Sequence, residues 1–187
     1  MSIKKKTYRL KDGDAMLNKV LFTLSSTSWI FVIYGISEEV SFVNNSKALT
    51  GIVLLLIPLL LTLVWLINAV KFSAKESIQG DCQEIEEANN DFLANYLGYF
   101  FIGIGLEKFE TLITIYVIIF TFTCVSQNQY YNPLLLLFGY KYYRATTSRG
   151  TSVFVISKND IRNPKDADFS CLRRISNMSY IDVGGKK

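Results

Sequence analysis

ALTGIVLLLIPLLLTLVWLINAV, residues 48–70, is 23 residues long and has no charged side chain. As a helix rising about 1.5 Å per residue it would extend roughly 34 Å, slightly more than the ~30 Å hydrocarbon core of a bilayer. A core helix of a soluble domain carries a polar stripe, whereas the polar side chains here are Thr50, Thr62 and Asn68. The stretch reads as a transmembrane helix, and the rest of the chain is organised around it.

Three other apolar runs flank it. Residues 17–36, LNKVLFTLSSTSWIFVIYGI, form a first span preceded by a basic tail, residues 1–16. The run is as long as a membrane crossing, and Ser37-Glu38-Glu39-Val40 offers no small-x-small cleavage site, so an uncleaved helix is expected rather than a signal peptide. Residues 92–106 and 111–126 are separated by Glu107-Lys108-Phe109-Glu110. One helix through both would bury three charges near mid-membrane, so a tight hairpin approached through Gly103 and Gly105 is cheaper, either as two crossings or as a re-entrant loop. The expected class is a mainly α integral membrane protein with about four transmembrane helices in residues 17–127.

Charge orients these spans. Residues 1–19 carry six basic and two acidic side chains, residues 20–131 carry four and ten, and residues 132–187 carry ten and four, giving net charges of +4, −6 and +6. Positive segments stay on the cytoplasmic side, so both termini are expected there, which requires an even number of crossings. The basic tail is also suited to anionic lipid headgroups.

Two features inside the spans stand out. Ser25, Ser26, Thr27 and Ser28 are consecutive and so cover all sides of a helix; some must face another helix. Their hydroxyls can return hydrogen bonds to the preceding turn, which makes the run tolerable in lipid. Helix packing or a subunit contact fits it better than a polar pore lining. Pro58 removes one backbone donor near the middle of the second span, as a kink or a hinge.

The connection 71–91 has the look of a solvated helical face, with carboxylates at Glu84, Glu86, Glu87 and Asp91. Residues 128–187 read as a small α+β cytoplasmic module. Arms rich in Tyr, Thr, Val, Phe and Ile flank Ser148-Arg149-Gly150 as in a β-hairpin. Asn163-Pro164-Lys165-Asp166 has the capping residue, first-turn proline and acid of a helix start, which would set Phe169, Leu172 and Ile175 on one side of a short helix. A last strand is expected near residues 178–181.

Chemistry is sparse. The chain has no histidine, and its three cysteines, Cys82, Cys124 and Cys171, have no ligand spacing and no obvious pairing. No nucleophile with its base, phosphate loop or metal-ligand pattern emerges, so no catalytic residue, cofactor or metal is expected. The spans hold no ionisable residue in their interiors, which weighs against an ion-coupled carrier and less against a channel lined by hydroxyls. The module does offer a recognition surface, in which Lys141, Arg144, Arg149, Arg162, Arg173 and Arg174 interleave with Tyr140, Tyr142, Tyr143, Phe154 and Phe169. An acidic protein partner fits it best; the inner leaflet and direct nucleic-acid contact are the other options.

The run GYKYYRATTSRGTSVFVISKNDIRNPKDADFSCLRRISN, placed directly after a multi-span region, resembles the C-terminal part of the membrane subunit of the bacterial Kiwa anti-phage defence system. Length, number of spans and tail are similar too. The resemblance implies a non-enzymatic inner-membrane component that assembles with itself, registers phage attack at the envelope and acts with a soluble DNA-binding partner. It implies no site residue. The alternative from the residues alone is a small oligomeric channel or permeability-altering protein.

Overall fold

The computed structural model describes residues 12–40, 43, 46–77, 82–91, 93–126, 131–148, 150–167, 169–176 and 178–184. The helices are α1 (Asp12–Thr27), α2 (Trp29–Ser37), α3 (Lys47–Phe72), α4 (Leu93–Gly105), α5 (Phe109–Ser126) and α6 (Pro133–Leu137). The strands are β1 (Lys75–Glu76), β2 (Cys82–Glu87), β3 (Lys141–Thr147), β4 (Ser152–Ser157), β5 (Leu172–Arg174) and β6 (Ser179–Asp182).

Among the described residues, three segments are long and apolar enough to cross a membrane: Met16–Ser37, Lys47–Lys71 and Phe109–Ser126. The first is the most buried and the third the least. Helices α1 and α2 form the centre, α1 against α3 and α5, α2 against α3 and α4. The outer helices turn large apolar side chains outward, Leu55, Ile57, Leu60 and Val64 on α3, Val117, Ile118 and Phe122 on α5. An outward face of this kind suits lipid and not water.

The first span is one passage in two pieces, because the hydroxyl run interrupts it at Ser28. Ser25 Oγ donates to the carbonyl of Phe22, Ser26 Oγ to that of Thr23 and Ser28 Oγ to that of Ser25, all three residues back. Bonds of that reach compete with the helical ladder and tighten the turn. The third run, residues 92–106, yields the shortest main helix of the four runs, the split first span apart. Helix α4 has 13 residues, roughly 20 Å of rise, and falls short of a full crossing. It packs along α1 and α2: Tyr96 Oη donates to the Ser26 carbonyl, and Gly103 abuts Ile33 and the Ile30 carbonyl. The loop after it meets the far end of α2, where Tyr34 Oη donates to the Glu107 carbonyl.

The sheet is larger than a hairpin. Its six strands lie in the order β1-β5-β6-β4-β3-β2, antiparallel except for the β4–β6 pair. The 75–87 connection supplies both edges, so the helical face expected at Glu84–Glu86–Glu87 is an edge strand instead. Glu86 stands opposite Arg144 on β3, which gives that acidic segment a cross-strand partner that a helix would not provide. The helix expected beyond Asn163 is likewise corrected. The start signal yields only a 3-10 turn, Pro164–Asp166, and Leu172–Arg174 is a strand.

One sheet face packs on the helices. Tyr142, Phe154, Ile156 and Ile181, with Ile175, share a core with Phe22, Trp65 and Ala69 of α1 and α3 and with Leu135 of α6. The alternate residues Tyr143, Ala145, Val153, Val155, Leu172 and Tyr180 face away and are covered by Ile161 and Phe169. Helices, sheet and the 158–171 segment therefore form three layers, with the helical bundle and the sheet in direct contact.

Candidate functional site

The junction of bundle and sheet centres on Asn132, which is fully buried. Extended backbone at this residue, followed by Pro133, sets it as the cap of α6: its Oδ1 accepts from the Leu134 amide at 3.0 Å. Its Nδ2 donates to Ser25 Oγ at 3.1 Å and to Thr62 Oγ1 at 2.9 Å. Its backbone amide donates to Tyr142 Oη, and Tyr142 Oη donates to the Asn132 carbonyl, both at 2.8 Å. One residue thus joins α1, α3 and α6 through its side chain and β3 through its backbone, and each of its polar groups has a partner. Burial pushes the Tyr142 phenol far above its ordinary range, so it stays protonated and keeps donating.

The hydroxyl run is drawn into the same junction. Ser25, Ser26, Thr27 and Ser28 are all buried. Ser25 reaches Asn132, and Thr27 Oγ1 donates to Tyr116 Oη of α5 at 3.3 Å. Pro58, buried within α3, removes the amide that would bond the Leu54 carbonyl. Thr62 Oγ1 donates to the Pro58 carbonyl at 2.7 Å while accepting from Asn132.

The basic residues of the module are dispersed and mostly engaged within the chain. Arg173 lies on the helix-facing side of β5 and donates from Nη1 to the carbonyl of Ser73, the residue that ends α3, at 2.9 Å. A cation there satisfies a helix C-terminus. Arg174 pairs with Glu76 at 3.2 Å, tying β5 to β1. Arg144 forks between Glu86 at 3.1 Å and Asp91 at 3.0 Å, and Tyr131 Oη also donates to Asp91. Lys141 pairs with Asp160 at 2.9 Å, and that contact holds the Asp160 carboxyl below its ordinary range. Arg162 also touches Asp160 but is 82% exposed, so its charge is available to a partner. Arg149 lies outside the described residues.

Lys165 is exposed three residues beyond Arg162, on the segment that covers the outer sheet face, whereas the exposed Lys158 reaches the ring of Tyr140 in the helix-facing core. Arg162 and Lys165 are the exposed cations of that layer, beside the exposed carboxylates of Asp160 and Asp166. The junction residue Asn132 was hidden in the sequence: Asn-Pro marks only a turn, and nothing local indicates two partners 107 and 70 residues away.

Comparison with curated proteins and with solved structures returns no match. A family profile described as anti-phage protein KwaA matches residues 18–181, which take in the Asn132 junction and all but the outermost residues of the spans and of strands β1 to β6. The chain belongs to the anti-phage protein KwaA family.

Proposed function

We propose that the protein is an inner-membrane sensor or scaffold subunit of an anti-phage defence system, and that it docks a soluble, DNA-binding cytoplasmic effector. Family membership supports the defence role. The continuous core is the observation that carries the sensor reading. Phe22, Trp65 and Ala69 of the bundle pack in one cluster with Tyr142, Phe154 and Ile156 of the sheet, so a shift among the helices is felt by the sheet without a flexible tether.

In this reading the chain passes the membrane four times with both termini in the cytoplasm. The α4–α5 hairpin supplies the third and fourth passages, the short α4 through a locally thinned bilayer, supported by its turn against Tyr34 and by the basic charge at both ends of the chain. The sheet then lies on the cytoplasmic side, with Arg162 and Lys165 turned toward a partner carrying acidic groups. Self-assembly through the outward faces of the bundle and contact with membrane lipid complete the proposal; it needs no catalysis by this chain.

The test is co-expression of the tagged full chain with the soluble products of its chromosomal neighbours, followed by pull-down in mild detergent. A DNA-binding protein is expected to be retained, and a double change of Arg162→Glu and Lys165→Glu is expected to release it while the melting temperature stays put. A stably folded chain that retains none of these products would overturn the docking half. Loss of phage protection on Asn132→Asp, without loss of docking, would support signal passage through the junction.

A further inference from the structure

We propose that α6 and the turn after it form an apolar wedge inserted in the membrane leaflet on the sheet side, in contact with phospholipid acyl chains. The inference rests on the membrane reading above and goes beyond it by assigning a lipid-binding element to a segment too short to cross.

Depth is fixed by partners. Lys19 and Lys71 mark the charged end of the bundle; Lys19 Nζ lies 3.5 Å from the carbonyl of Val125 near the end of α5, and Asn18 donates to Ser73 just beyond Lys71. Ammonium groups at span ends settle at the headgroups. Helix α6 lies on the hydrocarbon side of that level. Leu135 is buried in one cluster with Phe22, Trp65 and Ala69, and Asn132 is bonded to Ser25 and Thr62. Along α1, Phe22 and Ser25 are roughly 4.5 and 9 Å inward of Lys19; along α3, Ala69 and Thr62 are roughly 3 and 13 Å inward of Lys71.

The wedge is also built for a medium without water. Leu137 is 79% exposed, and Leu136 and Phe138 are half-buried beside it. Its backbone closes on itself. The amides of Leu134 and Leu135 bond Asn132, and Pro133 has no amide to satisfy. The amides of Phe138, Gly139 and Tyr140 bond the carbonyls of Leu134, Leu136 and Leu135. Gly139, at φ +78°, makes the left-handed turn that ends the helix this way. Irregular backbone is stable at membrane depth only when its polar groups are satisfied within the protein. After the turn the exposed Lys158 sets its ammonium over the Tyr140 ring at 4.7 Å, an arrangement suited to the headgroup boundary.

The experiment places a nitroxide at Leu137→Cys in the full chain carrying Cys82→Ser, Cys124→Ser and Cys171→Ser. The protein is reconstituted in phosphatidylcholine–phosphatidylglycerol vesicles. Leu55→Cys on the outward face of α3 and Lys165→Cys over the outer sheet face are the references, and Phe138→Cys is the second wedge position. Expected is a loss of accessibility to a water-soluble nickel complex at Leu137→Cys relative to Lys165→Cys, with oxygen accessibility like that at Leu55→Cys. Nickel accessibility equal to that of Lys165→Cys at both wedge positions, with Leu55→Cys still protected, would overturn the wedge alone. Exposure of Leu55→Cys to nickel as well would overturn the membrane reading on which it rests.

Discussion

Asn132 Nδ2 sits 2.9 Å from Thr62 Oγ1, and this hydrogen bond joins the residue that caps α6 to the one turn of α3 that follows Pro58. The same amide holds Ser25, so three helices converge on a single side chain with no solvent exposure. Helix placement and sheet placement are thereby coupled.

Replacing Asn132 tests that coupling. Asn132→Ala removes a helix cap, at about 1 kcal/mol, and strips the donor from two buried hydroxyl acceptors, at about 1–3 kcal/mol more. Ser25→Ala gives up one of these bonds and is expected to cost less. Asn132→Asp keeps the cap, loses both donors and buries a carboxylate, so it should be the worst of the three. Detergent-solubilised protein melted by heat reports the order; Ser25→Ala ranking below Asn132→Asp in stability would contradict it.

Much of the fold could be read from residues, and the failures have physical causes. The spans were legible because 23 uncharged residues in a row leave a helix no polar face to turn toward water. The hairpin was legible from β-branched and aromatic arms around Gly150. The helix expected over Phe169, Leu172 and Ile175 failed because a separation of three also fits a strand whose residues face opposite ways. Leu172 packs on the outer sheet core and Ile175 on the helix-facing core. Strand β2 was hidden by its glutamates, since an edge strand buries little and its pairing is dictated by β3, more than fifty residues away. The Arg144, Arg173 and Arg174 contacts were equally out of reach, because their partners come from a connection that reads as solvated.

Two glycines of α4 should respond differently. A Cβ at Gly103 would lie 2.7 Å from Ile33 Cγ2, 2.8 Å from its Cβ and 3.3 Å from the Ile30 carbonyl, whereas at Gly98 nothing among the described residues lies within 4 Å. The Ile33 Cβ cannot swing away. Gly103→Ala is expected to push α4 off α2 at about 1–3 kcal/mol, while Gly98→Ala is expected to be neutral or to gain up to about 1 kcal/mol of helix propensity. Melting temperatures of the two variants, measured side by side, decide it.

Charge reversal separates structural arginines from available ones. Arg173→Ala loses a charged hydrogen bond to the end of α3, worth about 1.5–3 kcal/mol, and Arg173→Glu adds repulsion with the helix C-terminus. Arg162→Glu, at 82% exposure, should stay within about 0.5 kcal/mol of the native protein. Arg174→Glu should be partly rescued by Glu76→Arg, since the pair itself contributes about 0.2–1 kcal/mol. Partner recovery measured on the same samples then has a clean interpretation: release by Arg162→Glu is loss of a contact, whereas release by Arg173→Glu is loss of fold.

The Lys141–Asp160 contact defines the last expectation, a dependence on pH. The hydrogen bond from Lys141 lowers the folded Asp160 pKa from 3.8, and the same bond raises that of Lys141 from 10.5. A depressed carboxyl contributes stability above its unfolded pKa and loses it as pH falls through the folded value. A raised ammonium contributes below its unfolded pKa and loses it as pH rises through the folded one. The contact should therefore be intact and level between about pH 5 and pH 9, and fade only outside that window. Asp160→Asn should show a constant deficit against the native protein across this range, shrinking in acid below the Asp160 titration. Because both groups are open to solvent the deficit will be small, and differential scanning calorimetry at several pH values is the suitable measurement. A deficit that changes sign or slope near neutrality would mean that some other group titrates with this contact, and that the start of β3 is held by more than Lys141 and Asp160.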